Sequence, residues 1–371
     1  MHIRTCLVTL ASTNHPNLRS SNKNVIYSEQ IFFKMMLFRF AGELTGFVRV
    51  GPKGYFFPQK YKQEAMKLYN MPIRPSDVFV TSYPRSGTTW TQELVWLVAN
   101  DLDYEKSNAI PLVERYPFLD HDEKKLEQLG WVCQAGTDQL ADIPSPRFVK
   151  SHLPLSLLPP ILLDTAKMVY VARDPRDVVV SFYHLNRLIR TQGYVGDFKT
   201  YWDFFRRDLR ELDIPINKFP PWDKRDHPNM LFLFYEELCN DLSGAVRRVA
   251  KFFDKDYTEE QIARLCDHLS IDNFKNNKSV NYDVMKTLGI LIPGEQAFIR
   301  KALDNYVFCL RTFTITSTSI SMTRQILIFF IIYYMPTFSR LTVTPKFCVF
   351  NNVASLPQAR LADGATTSTR R

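Results

Sequence analysis

Residues 77–81 (Asp-Val-Phe-Val-Thr) form a β-rich run that stops at the loop Ser82-Tyr83-Pro84-Arg85-Ser86-Gly87, which leads straight into residues 88–100. In that last stretch Trp90, Leu94, Leu97 and Val98 recur at the spacing of one buried helical face. The strand–loop–helix unit then repeats. Residues 167–172 read as a strand and run into Arg173-Asp174-Pro175-Arg176-Asp177. There Asp174 suits a helix N-cap, Pro175 the first helical position, and Asp177 the positive end of the helix dipole. Shorter runs at 147–150 and 230–235 predict two more strands. The second is followed by a helix over 243–253 with Val246, Val249, Ala250 and Phe253 on one face. Thr258 and Gln261 have the spacing of a capping box ahead of Ile262, Leu265, Cys266 and Leu269. Strands separated by helices predict an α/β fold of three layers, a mostly parallel sheet flanked by helices, with ligands outside the carboxyl ends of the strands.

This pattern occupies residues 41–301, and the flanks 1–40 and 302–371 lose it. The second flank is expected to be a poorly ordered basic tail, and residues 314–321, rich in Ser and Thr, support no assignment. Charge follows the same division. The chain of 371 residues carries +9, of which residues 1–40 contribute +4 and 302–371 contribute +5, while 41–301 holds 35 basic and 35 acidic side chains. A neutral middle argues against a phosphate-tracking surface of the kind that binds nucleic acid. The six cysteines show no CxxC pair and no metal-ligand spacing, so free thiols in a reducing, cytoplasmic setting are expected. The first ten residues are too weakly apolar for a secretory signal. The most apolar stretch, 326–335, is about half the length of a membrane helix, so no membrane span is expected.

The chemistry is expected in the strand-end loops. Gly87 permits close backbone approach, Ser86, Thr88 and Thr89 offer hydroxyls, Arg85 adds a cation, and the amides of a helix start lie behind them: a P-loop-like phosphate-binding loop. A capped turn with a surface Arg is the competing reading. A Walker A loop would need Gly at position 82 and Lys after Gly87, and the chain has Ser82 and Thr88. Arg173 and Ser181 can reach an anion over the second helix start, although Arg173 equally suits an ion pair with Asp174 or Asp177 and Ser181 a helix-surface hydroxyl. Lys150 and His152 follow a third strand. His is suited to take a hydroxyl proton near neutral pH, and a structural imidazole is the alternative. His184, His227 and His268 read as structural. No carboxylate pair marks a metal site.

Together these segments resemble the cytosolic sulfotransferases, which move a sulfuryl group from the donor PAPS to an acceptor hydroxyl or amine. The resemblance rests on residues 81–90 (Thr-Ser-Tyr-Pro-Arg-Ser-Gly-Thr-Thr-Trp), 150–154 (Lys-Ser-His-Leu-Pro) and 170–177 (Tyr-Val-Ala-Arg-Asp-Pro-Arg-Asp) continued to Ser181. It implies that the first segment holds the 5′-phosphosulfate and that Trp90 stacks on adenine. It implies further that Arg173 and Ser181 hold the 3′-phosphate, Tyr235 faces the donor, His152 is the general base, and Lys150 and Arg85 assist at the transferring group. No metal is implied. The acceptor would be a small apolar phenol or alcohol, in keeping with 28 Phe and 17 Tyr.

Several positions depart from that family. Arg85 stands where many members have Lys, and Ile271 where relatives often place Phe. The family's Phe-x-Arg-Lys-Gly segment, which closes over the 3′-phosphate, is represented by Phe298, Arg300 and Lys301, but Ala302, Leu303 and Asp304 follow and no Gly-x-Trp is present. The family's dimer motif is not visible either, which leaves a homodimer unassigned. Two other classes of function therefore stand beside an active sulfotransferase: a catalytically impaired PAPS/PAP-binding variant without its lid, and a P-loop nucleoside kinase, against which the absent Walker lysine counts.

Overall fold

The structure is a computed structural model, and it describes residues 35–36, 38–43, 46–51, 54–59, 61–119, 137–211 and 220–299. Four strands make the central sheet: β3 (Val78–Ser82), β4 (Phe148–Ser151), β5 (Lys167–Ala172) and β6 (Met230–Phe234). They lie in the order β4-β3-β5-β6, and every neighbouring pair is parallel. A two-stranded antiparallel hairpin, β1 (Phe47–Val50) with β2 (Tyr55–Pro58), stands apart from it.

Side chains alternate along each strand, so successive residues enter opposite cores. Val78 and Val80 of β3 pack with Val169, Val171 and Leu233 on one face, while Phe79 packs with Val149, Met168, Tyr170 and Phe232 on the other. The first face is covered by α1 (Thr88–Ala99), α4 (Leu242–Phe252) and α5 (Glu259–His268). The second face receives Leu68 of helix Tyr61–Tyr69 and the apolar residues Leu158, Leu162 and Leu163. Two further helices, α2 (Pro175–Leu188) and α3 (Phe198–Glu211), build an aromatic cluster with Tyr83 and the hairpin residues Phe47 and Phe56. The three-layer α/β expectation is met, and the strands fall within about one residue of their sequence positions.

The caps form as their residue types require. Asp174 accepts a hydrogen bond from the Arg176 amide, with Pro175 at the helix start. Thr258 and Gln261 close their capping box in both directions. One detail differs. The helix α1 is buried on nearly every side, with Thr91, Gln92 and Glu93 inside as well as Leu94, Leu97 and Val98, and Trp90 is only half-buried. A helix leaving the middle of a parallel sheet is covered all round, so a one-sided apolar stripe is not what it presents.

Candidate active site

Because the four strands run parallel, their carboxyl ends share one edge of the sheet, and each delivers a predicted site residue there. From β3 comes the loop 83–87, from β4 His152, from β5 Arg173, and from β6 Tyr235. Lys150 lies within β4, paired across the sheet with Val80.

The loop after β3 is shaped by its backbone. Arg85 has φ 69° and Gly87 φ 97°, the left-handed region, and Gly87 begins α1 without any side-chain cap on the helix amides. A Cβ on Gly87 would stand 2.7 Å from Cδ2 of Tyr235, so no other residue fits this position without displacing the ring. Ser82 Oγ and Thr88 Oγ1 are 2.5 Å apart and buried, and Thr89 is half-buried in the first turn of α1. Ser86 is 1% exposed and its Oγ makes no hydrogen bond. A buried hydroxyl with no partner is costly unless a ligand supplies one.

The second loop is joined to the first by two hydrogen bonds. Arg85 Nε donates to Ser181 Oγ at 2.9 Å, and Arg173 Nη1 donates to the Arg85 carbonyl at 3.1 Å. Arg173 is nearly buried and its guanidinium lies 4.1 Å from the centroid of the Tyr235 ring. Its Nε and Nη2 make no hydrogen bond, and Asp177 Oδ2, at 3.7 Å from Nη2, is near enough only for ion pairing. Asp174 is engaged elsewhere, with Arg176. Burial pushes the Asp177 carboxyl up, against the charge of Arg173, which lowers it. Burial likewise pushes the Tyr235 hydroxyl up to about 12. Two buried N–H groups of a guanidinium and the Ser86 hydroxyl are thus left unsatisfied around a glycine-opened helix start, the donor set an anionic ligand would complete.

His152 borders this place. Its Nδ1 lies 2.9 Å from the Ser82 carbonyl, which can only accept, so Nδ1 carries the proton and the lone pair of a neutral ring resides on Nε2. Phe118 stands edge-on to the imidazole at 5.1 Å, and Lys150 Nζ lies 4.3 Å from the same Phe118 ring. The segment 117–119 is held there by bonds from Lys150 N to Pro117 O and from Leu119 N to Lys150 O. Phe118 is a neighbour of both polar groups that the sequence did not single out.

Trp90 projects from the first turn of α1, where its Nε1 donates to the Leu269 carbonyl at 2.8 Å and its ring meets Tyr235 edge-on at 6.0 Å. The guanidinium of Arg85 reaches further than the loop: Nη2 donates to the Phe298 carbonyl at 2.9 Å and the group lies 4.9 Å from the Phe298 ring. Arg300 and Lys301 lie outside the described residues. Among the described residues no three His, Cys, Asp or Glu side chains converge as a metal site, and no helix is long and apolar enough to cross a membrane.

Residues 75–306 match the family model described as the sulfotransferase domain. The chain belongs to the sulfotransferase family. Luciferin sulfotransferase of Photinus pyralis is 36% identical over 277 residues, covering 70% of this chain and 74% of that protein. Sulfotransferase 1A1 of Canis lupus familiaris is 32% identical over 252 residues, covering 66% and 81%. Among solved structures, retinol dehydratase with androsterone and inactive cofactor PAP is 40% identical with a TM-score of 0.66, covering 77% of this chain and 95% of that one. A second structure of that enzyme, with retinol and PAP, is 38% identical with a TM-score of 0.69, covering 85% and 95%. As a sulfotransferase this chain is a PAPS-dependent enzyme that transfers a sulfuryl group.

Proposed function

We propose that the acceptor is a small apolar alcohol or phenol, and that His152 is the general base that takes its proton. The observation that carries this reading is the convergence of two separately encoded cradles on one place: Arg85 of the first loop is bonded to Ser181 of the second, and Arg173 of the second to the Arg85 carbonyl of the first. Ser86, Gly87, Thr88 and Thr89 would hold the 5′ end of PAPS and Arg173 with Ser181 its 3′-phosphate. Trp90 and Tyr235 would flank the base. Arg300 and Lys301 would add charge over the 3′-phosphate. PAPS supplies the sulfuryl group and a phosphate leaving group when bound.

In such a site the acceptor oxygen gives its proton to Nε2 of His152 as it approaches the sulfur, and the Nδ1–Ser82 bond holds the imidazole in the tautomer that can accept it. Negative charge then grows on the transferred group and on the departing phosphate. Lys150, Arg85 and the amides at the start of α1 would stabilise it. Phe118, against both Lys150 and His152, gives the acceptor side an apolar wall. The apolar alcohols found in the two retinol dehydratase structures beside PAP, androsterone and retinol, support the same class.

The reading places the enzyme in the cytoplasm with residues 41–301 as its catalytic domain, and residues 1–40 and 302–371 as extensions of it. A second reading is favoured by one observation, the loss of the family's Gly-x-Trp after Lys301: a PAPS/PAP-binding protein with impaired turnover. The test is thermal unfolding of the full chain with and without PAP. A ligand that binds only the folded state raises the midpoint with concentration. A midpoint that stays fixed at millimolar PAP would remove both readings. A rise, followed by an assay of sulfuryl transfer to phenols and alcohols, separates the active enzyme from the impaired one.

A further inference from the structure

One turn along α1 from Trp90, a charge is buried that the reaction does not use. Glu93 is 0% exposed, and its carboxylate accepts hydrogen bonds from Arg115 Nη2 (2.7 Å), Ser107 Oγ (2.5 Å) and His268 Nε2 (2.8 Å). Burial alone would raise this carboxyl. The bond from His268, the charge of Arg115 and the bonds from Ser107 and Arg115 together outweigh it and hold the group below the usual carboxylate range. Arg115 is as deeply placed, with Nε on the Ile110 carbonyl at 2.9 Å and its guanidinium 4.8 Å from the centroid of Trp96. An ion pair this far from water is a poor device for stability, because desolvating both partners consumes most of what their attraction returns. What the pair does supply is fixed geometry at both of its ends.

The bonds lead back to the donor site. His268 ends α5, and the next residue, Leu269, offers its carbonyl to Trp90 Nε1 at 2.8 Å. Trp90 and Glu93 stand three residues apart on one helix, His268 and Leu269 are consecutive, and both cross-links are made, so the four residues close a ring. The imidazole also meets the Tyr104 ring edge-on at 5.2 Å, and the Arg264 guanidinium lies 4.4 Å from the centroid of that ring. The indole is therefore fixed at its polar edge by the end of a helix that is itself pinned to a buried carboxylate.

We propose that Arg115, Glu93 and His268 form a positioning device for Trp90, setting through the Leu269 carbonyl the plane on which the adenine of the donor stacks. The proposal rests on the reading of Trp90 as the adenine platform. Freeing the end of α5 would let the indole tilt and weaken the grip on the base, while the two phosphate cradles and His152 keep their own contacts.

The experiment uses the full chain with His268→Ala and His268→Gln, each alone and combined with Trp90→Ala. PAP affinity is measured by calorimetry, and KM for PAPS and kcat are measured separately. His268→Ala is expected to weaken PAP binding about fivefold, since neighbouring residues couple by about 1 kcal/mol, and to raise KM for PAPS in parallel with kcat unchanged. His268→Gln, whose amide nitrogen can donate to Glu93, is expected to recover most of that loss. In the Trp90→Ala background His268→Ala should have no further effect. Equal losses in both backgrounds would overturn the proposal, because His268 would then be acting on the fold at large. Loss of PAP affinity from Trp90→Ala but none from His268→Ala would overturn it while leaving the platform reading intact. No loss from Trp90→Ala would overturn both.

Discussion

The two proposed anion cradles are made from different materials. Around Gly87 the donors are backbone amides, freed by left-handed backbone at Arg85 and Gly87 and by a helix start with no side-chain cap. Around Arg173 the helix start is already spoken for: Pro175 has no N–H to give, and Asp174 takes the amide of Arg176. That cradle must rely on side chains, chiefly two N–H groups of the buried Arg173 guanidinium and the Ser181 hydroxyl. An amide cradle is vulnerable to a change of backbone or of space, whereas a side-chain cradle is vulnerable to the loss of one residue. The bonds between Arg85 and Ser181 and between Arg173 and Arg85 join the two loops directly.

Neither cradle contains the proposed base, so grip and turnover should come apart most widely at His152. His152→Ala is expected to lower kcat by about 10²–10⁴-fold, the range for a lost general base, with PAP affinity little changed. The wild-type acid limb of kcat should fall about tenfold per pH unit, as one proton blocks the imidazole, and should vanish in the variant. A variant that keeps its kcat would show that His152 only holds Ser82. Within the cradles the largest loss should be at the side-chain one. Arg173→Ala removes both waiting N–H groups and the stacking on Tyr235, and should weaken PAP binding about 10- to 100-fold, the worth of charge-assisted hydrogen bonds. An affinity that survives would mean that the 3′ end is held elsewhere.

Gly87→Ala tests the amide cradle. The new methyl would meet the Tyr235 ring at 2.7 Å with φ in the left-handed region, so strain of about 1–3 kcal/mol should lower the unfolding midpoint by several degrees and PAP affinity about tenfold. Ser86→Ala in the same loop should cost far less, because the amides remain. If Ser86→Ala proved the more damaging, the contrast between the cradles would be reversed.

What could be read from the sequence was what local chemistry writes there. The strands at 78–82, 148–151, 167–172 and 230–234, the Asp174 and Thr258 caps and the loop around Gly87 each follow from residues within about one turn of one another. The strand order was not legible, because β3, the earliest of the four, sits in the interior of the sheet beside β4 and β5, a matter of crossovers and not of local pattern. Glu93 was missed for a related reason. A Glu on a helix reads as a solvated charge, and its partners Ser107, Arg115 and His268 lie 14, 22 and 175 positions away. The same distance in sequence hid the reach of Arg85 to Phe298, 213 residues on.

That reach sets the smallest and most discriminating effect. The Arg85 guanidinium uses Nε for Ser181 and Nη2 for the Phe298 carbonyl, while its face lies on the Phe298 ring; a lysine ammonium donates from a single point and has no flat face to lay on that ring. Arg85→Lys keeps the charge at the loop but surrenders at least one tie, so PAP affinity should change by no more than about threefold, within what one partly buried polar contact is worth. The ammonium, less firmly held between Ser181 and Phe298, is better able to follow the transferring group, so kcat should be unchanged or raised severalfold. The unfolding midpoint should drop slightly as the tie to Phe298 goes. An abolished rate would show that the double tie itself, and not the positive charge, is what the reaction needs from position 85, and the two cradles would then have to be regarded as one rigid unit braced by that guanidinium.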